Sequence, residues 1–243
     1  MRINSRLITL LTGFFLLAFF SPALAARPLV TDDIYPVDLG GNEMEFGYFS
    51  IQGPSSGGPS NSIDLSLKRG LTAKYDLELD VPYSFSPVNG LNDLLLHSKY
   101  LLLQREDDGF AVRVDLKLAN GDTCRTLGTG CYDGGVVFIY TKNISNLRVD
   151  CNLGWTRTSL DGKQAGQDFV TLSAALEKMI IDGRADIAAE CVDYSYSNFN
   201  LLSVQVGSRY FLSERYKIDF GYTVGLNDRT SRNSLTAGIH CSF

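Results

Sequence analysis

From about residue 43 onward, apolar and polar residues alternate one by one, the period of a strand with two unlike faces. Tyr75, Leu77, Leu79, Val81 and Tyr83 hold one phase, while Lys74, Asp76, Glu78 and Asp80 hold the other. Phe110, Val112, Val114, Leu116 and Leu118 alternate with Arg113, Asp115 and Lys117. Leu147, Val149, Cys151, Leu153 and Trp155 alternate with Arg148, Asp150 and Asn152. Ile218, Phe220, Tyr222, Val224 and Leu226 alternate with Asp219, Gly221, Thr223 and Gly225. The pattern predicts twelve strands near 43–52, 62–71, 73–83, 93–104, 110–119, 135–143, 146–157, 168–179, 184–193, 200–211, 217–226 and 234–243. Many are about ten residues long, enough for a tilted strand to cross a bilayer.

The connections carry a second signal. Leu71-Thr72, Asp182-Gly183 and Ser213-Glu214-Arg215 are compact turns. Gly53–Asn61, Ser84–Asn92, Asn120–Gly134, Ser159–Gln167 and Asn227–Asn233 are longer. Long and short connections alternate, as they do in barrels with short periplasmic turns and longer outer loops. The expected fold is all-β: an antiparallel transmembrane β-barrel of twelve strands over residues 43–243. A soluble β-sandwich also alternates, but here the polar face carries charges of both signs on strand after strand. The last strand adds a specific feature. Leu235, Ala237, Ile239, Cys241 and Phe243 share one face and end on a phenylalanine, the form of insertion signal that barrel-insertion machinery reads.

At the other end, Arg2 and Arg6 precede an apolar run from Leu7 to Phe20, broken by Pro22 and followed by Ala23-Leu24-Ala25. This is the layout of a signal peptide over 1–25, because the run falls short of the ~20 residues of a spanning helix. No later apolar stretch reaches that length. The formal net charge is −5. Removing Arg2 and Arg6 makes the mature chain more acidic, which argues against nucleic-acid binding.

In lipid, the apolar phase would face hydrocarbon and the charged phase the lumen. The lumen-lining candidates are Lys74, Asp76, Glu78, Asp80, Arg113, Asp115, Lys117, Arg148, Asp150, Arg184, Asp186, Arg209 and Asp219. They either line a water-filled route and set its charge preference or pair across strands and seal the interior. Residues 26–42 do not alternate and contain Pro28, Pro36 and Gly40-Gly41. This segment lies at the periplasmic mouth or enters the lumen as a plug.

Five cysteines in an exported chain raise the question of disulfides. Cys124 and Cys131 share one glycine-rich loop, where a bridge would be worth about 2.5 kcal/mol in the chain-entropy model; free thiols are the alternative. Cys151, Cys191 and Cys241 sit at apolar phases, where cysteine acts as a small hydrophobe. Only His97 and His240 are available to join them, so no metal site is expected. No phosphate loop, dinucleotide fingerprint or serine elbow appears, and no cofactor is expected. Some barrels hydrolyse lipids with a serine–histidine pair near the outer leaflet. His240 is at the wrong depth for that and no serine motif lies beside His97.

Ala26-Arg27-Pro28-Leu29-Val30-Thr31-Asp32-Asp33, followed by Glu43-Met44-Glu45-Phe46, resembles the mature start of the outer-membrane transporter family named for the meta-pathway of phenol degradation. Leu77-Glu78-Leu79-Asp80-Val81-Pro82-Tyr83 resembles that family's third strand. Asp93 through Tyr100, and Leu116 through Asp122, fit the strands that follow, with Ala119-Asn120-Gly121-Asp122 standing where members often have a Pro-Thr-Gly-Asp type turn. The resemblance implies a barrel that passes small organic or aromatic compounds. The expectation is an outer-membrane protein, not an enzyme, allowing passive passage of a small-molecule solute. Its partners would be outer-membrane lipid and the insertion machinery. A non-conducting structural or surface-binding barrel is the alternative, and a lipid hydrolase a more distant one.

Overall fold

A computed structural model describes residues 27–53, 58–163 and 165–243. The expected signal peptide, 1–25, lies outside the described residues. The strands are β1 (Asn42–Gln52), β2 (Ser60–Thr72), β3 (Tyr75–Ser86), β4 (Gly90–Leu91), β5 (Leu95–Gln104), β6 (Asp108–Lys117) and β7 (Asp133–Ile144). They continue as β8 (Leu147–Arg157), β9 (Asp168–Ile181), β10 (Ala185–Tyr196), β11 (Asn200–Phe211), β12 (Tyr216–Gly225) and β13 (Asn233–Ser242). Strand β4 is a two-residue stub paired with the outer end of β3. The other twelve form a closed antiparallel barrel, each paired with its neighbour in sequence. Closure comes from β1 against β13, where Glu45 faces His240 and Phe46 faces Ile239.

Closure follows from the solvent. Hydrocarbon offers no hydrogen bonds, so a sheet crossing it must have no edge. The period-two pattern then decides what faces where. Phe46, Tyr100, Phe138, Leu153, Leu172, Leu176, Val206 and Ile218 are large, apolar and exposed on the outer wall. Among the described residues, the inward apolar contacts form two small clusters. Ile34, Leu101, Ala111 and Ile139 make one; Leu29, Ala175 and Ala188 make the other.

Most boundaries shift by one to three residues from the alternation, and two of the shifts shape the outer rim. Strand β5 starts at Leu95 instead of residue 93, because Asp93 turns aside to organise the outer loop between β6 and β7. Its carboxylate accepts from the backbone N–H of Gly121 at 2.8 Å and of Thr129 at 2.9 Å. The connection from β10 to β11 is also shorter than the pattern suggested. Strand β10 runs on to Tyr196, leaving only residues 197–199 at the outer rim. Tyr196 N–H donates to the Phe199 carbonyl at 2.8 Å and closes this turn. Among the described residues this is the shortest connection at the outer rim.

Burial opposes ionisation of Asp93, yet the Thr129 and Gly121 amides and the Lys117 ammonium outweigh it and hold the carboxyl below its usual range. A depressed carboxyl stabilises the loop above its ordinary pKa, and that stabilisation is lost as pH falls through the folded-state value. Proteolysis within residues 118–132 should be slow at neutral pH and accelerate on acidification, whereas Asp93→Asn should be cut readily at both. The wall makes a separate prediction. Leu153, midway along β8 and facing outward, should cost about 2–4 kcal/mol as Leu153→Arg. Leu77, near the periplasmic end of β3, should cost no more than about 1 kcal/mol as Leu77→Arg. Denaturant unfolding from vesicles measures both.

Candidate functional site

The bore is occupied by the chain itself. Residues 27–38 leave the periplasmic end of β1 and run inside the barrel, touching the inner wall from strand to strand. This segment is irregular, so its backbone donors must find partners outside any ladder. Wall side chains provide them. Glu190 accepts from the N–H groups of Val30 and Thr31 at 2.9 and 2.8 Å, and from the Thr31 hydroxyl at 2.7 Å. Asn152 Oδ1 accepts from Asp32 N–H at 2.7 Å, and its amide donates back to the Asp32 carbonyl at 2.9 Å. Thr141 Oγ1 and Asp76 Oδ2 accept from the N–H groups of Ile34 and Val37. Gln205 donates to the Pro28 carbonyl at 2.5 Å.

Shape matches this chemistry. Gly47, Gly70, Gly109, Gly207 and Gly238 face inward where the segment passes. A Cβ on any of them would collide: with Arg27 at Gly47 and Gly238, with the Asp38 backbone at Gly70, with Ile34 at Gly109 and with Pro28 at Gly207. The wall is thus carved to the path of the segment.

Charge pins the segment at three places. Arg27 pairs with Asp219 at 3.2 Å, donates to Thr236 at 2.9 Å, and lies 5.0 Å from the centroid of the Phe49 ring. Asp32 takes Lys99 at 3.1 Å and Arg113 at 2.8 Å. Asp33 takes Arg148 at 3.3 Å. Behind these contacts the wall has its own network: Arg148 also binds Asp150 at 2.9 Å and Glu177 at 2.5 Å, and Arg209 joins Glu177 to Asp186. Such pairs survive burial because each charge has its counter-charge, even where, as at Asp33 Oδ2, the ion pair is not also a hydrogen bond.

Of the candidates read from alternation, Asp76, Glu78, Asp80, Arg113, Asp115, Lys117, Arg148, Asp150, Asp186, Arg209 and Asp219 lie on the inward phase of their strands. Lys74 and Arg184 do not. Both are exposed in turns, at β2–β3 and β9–β10, because the strands end one residue short of them. The reading passed over Glu43, Glu45, Lys99, Glu177 and Lys217, all buried on the inner wall. The same alternation marks them; Glu43 and Glu45, for example, alternate with Met44 and Phe46. Leu235, Ala237, Ile239 and Cys241 point outward on β13, and Phe243 follows it. Cys124 and Cys131 are free thiols, the first exposed in a short 3₁₀ turn and the second buried beneath it.

Both histidines sit among carboxylates. His97 places Nδ1 2.7 Å from Asp115 and Nε2 3.0 Å from Asp80. His240 Nε2 meets Ser242 Oγ at 2.8 Å, but no carboxylate comes within hydrogen-bonding distance of its Nδ1 to orient it as a base. Glu43, Glu45 and His240 bring three ligand-type atoms within 4.8 Å of one another. Lys68, 2.9 Å from Glu45, supplies the counter-charge there instead.

A family model described as "Putative MetA-pathway of phenol degradation" matches residues 49–243. No curated protein matches the sequence significantly. Among solved structures, the COG4313 outer membrane channel from Pseudomonas putida F1 aligns with a TM-score of 0.65 at 16% identity, covering 87% of this chain and 98% of that one. The KdgM porin in complex with disordered oligogalacturonate aligns with a TM-score of 0.64 at 11% identity, covering 83% and 99%. The NanC porin aligns with 0.62 at 12%, covering 82% and 98%. At these identities the likeness is one of fold: an outer-membrane-type barrel.

The wall network generates one prediction. Arg209 is 2% exposed, and Arg209→Ala takes this guanidinium from Asp186 and leaves Glu177 with Arg148 alone. Loss of one member of a buried pair costs about 3–5 kcal/mol, so urea unfolding of Arg209→Ala should show a loss of that order. Arg209→Ala combined with Glu177→Gln and Asp186→Asn should recover part of it.

Proposed function

Because the chain belongs to the MetA-pathway of phenol degradation family, whose model spans most of its length, we propose that it is a passive outer-membrane channel for small organic solutes, aromatic ones included, held closed by residues 27–38. The observation that carries this reading is the way the segment is held. It lies across the bore on hydrogen bonds and ion pairs to at least seven strands, and among the described residues its covalent link to the sheet is at its β1 end. A barrel meant to be solid could fill itself with wall side chains, as eight-stranded barrels do. Twelve strands enclose more space than that, and here a separable piece of chain takes it up. Most of its contacts are polar and exchange with water at small net cost; leaving the bore would expose only the two small apolar clusters built on Leu29 and Ile34. No nucleotide site is visible in the sequence, so passage would run down a gradient.

The competing reading, a sealed structural barrel, is favoured by the wall's own ion pairs, which persist without the segment. Planar-bilayer conductance separates the two. Full-length protein should conduct little, and deletion of residues 27–38 should give resolved, larger steps whose ion preference shifts on charge reversal at Asp80 or Arg113. A deletion variant that still folds, as shown by heat-modifiable mobility, but conducts no more than the full chain would sink the channel reading.

A further inference from the structure

On the outer wall, one patch departs from the large apolar residues around it. Cys151, Ala174 and Cys191 stand side by side on β8, β9 and β10, paired residue against residue. All three are small and exposed on the lipid-facing phase. The next row toward the rim runs Phe138, Leu153, Leu172 and Asp193, again in register. The difference in size between the two rows leaves a groove of about 540 Å³, lined by both. Tyr140 and Phe110, whose ring centroids lie 4.8 Å apart, line its other end.

The groove is inclined. Phe138 lies well down β7 from the outer end of that strand at Asp133, while Asp193 lies close to the outer end of β10 at Tyr196. A chain laid in the groove therefore runs from the middle of the hydrocarbon toward the outer interface, with Asp193 at its upper end. Hydrocarbon has to fill it, because wall atoms facing a void forfeit their dispersion contacts. The occupant is thus supplied by the solvent that the whole wall already faces.

Asp193 selects among lipids. On β10 the outward phase runs Ile187, Ala189, Cys191 and then this carboxylate, flanked across the sheet by Leu172 and Leu202. Its two oxygens accept from Ser195 Oγ at 2.6 Å and from the Asn200 amide at 2.9 Å, both neutral donors. A carboxylate oxygen has more than one lone pair, so each keeps acceptor capacity. Because Asp193 lines the groove itself, a further donor must stand where the acyl chain begins. An amide-linked chain puts an N–H there. An ester-linked chain brings only acceptors, which would meet the carboxylate lone pair to lone pair.

We infer that this groove holds one amide-linked acyl chain of an outer-leaflet lipid. The chain's N–H donates to Asp193, and its methylenes lie over Cys151, Ala174 and Cys191. The site belongs to the wall and stands whether or not the bore conducts.

The protein carries its own reporters. Trp155 is its one tryptophan, exposed on the outward phase of β8 next above Leu153. In vesicles of chain-brominated phosphatidylcholine its fluorescence should be quenched in the full-length protein, and added unbrominated lipid should restore it by displacing the quencher. Lipid A, a glycolipid with amide-linked chains, should reach half-recovery at a mole fraction about fivefold or more lower than phosphatidylglycerol, which is anionic but has ester-linked chains only. Ala174→Leu, which fills the groove from a lipid-facing position, should remove this preference. Asp193→Leu, which removes the acceptor, should do the same. If either variant fails to insert, the unaltered protein still decides the matter. Lipid A should slow alkylation of Cys151 and Cys191 by a membrane-soluble maleimide and leave Cys241, outward on β13, unchanged. Equal recovery with the two lipids, or a preference that persists in Asp193→Leu, overturns the inference. Protection of none of these cysteines, or of all three alike, marks ordinary boundary lipid and overturns it too.

Discussion

The structure depends on one constraint: a backbone amide in hydrocarbon must be bonded to another part of the chain. Closure of β1 on β13 meets it for the sheet and fixes the rest. A closed sheet has an inside, and an inside lined with charge must be filled with water or balanced side chain by side chain. Twelve strands enclose a wider bore than the eight that wall residues fill alone. Residues 27–38 add backbone donors, carboxylates and Arg27 to an interior that already holds acceptors and cations. The segment is held much as the wall is: the N–H groups of Val30, Thr31, Asp32, Ile34 and Val37 are paired with wall side chains where a strand would use its neighbour's backbone.

The strands were legible because each crosses a sharp boundary between two solvents, and a period of two records that boundary residue by residue. Tyr75 to Tyr83 and Leu147 to Trp155 read correctly on sight for this reason. Legibility fails where the boundary ends. Lys74 and Arg184 continue the alternation by one residue into turns where both faces are wet. The rim turn at 197–199 was read as longer because Tyr194 and Tyr196, large and apolar, stand on the phase that carries charge lower down the same strand. An inward aromatic breaks the rule that locates strands, and it does so where the interior departs from ion pairing.

The interior was harder to read than the wall. Alternation says which residues point inward but not what they meet. That Asp32 joins Lys99 to Arg113, or that Glu190 receives the backbone of Val30 and Thr31, depends on an irregular segment for which local pattern offers no rule. The two prolines and Gly40-Gly41 said only that residues 26–42 are neither helix nor strand. The cysteine loop was undecided in another way. Short spacing left open a bridge between Cys124 and Cys131 or two free thiols; the 3₁₀ turn leaves the first exposed while the second and Leu127 are buried.

The inward glycines have an implication for how such a sequence can change. Gly47, Gly207 and Gly238 look like ordinary strand residues with small side chains, yet together they form a mould whose cast is Arg27 and Pro28. A bulkier residue at any of them displaces a partner far away in the chain, so drift on the wall and drift in the segment cannot proceed independently. Grafting the segment of one such barrel into the wall of another would fail by shape before charge was ever tested.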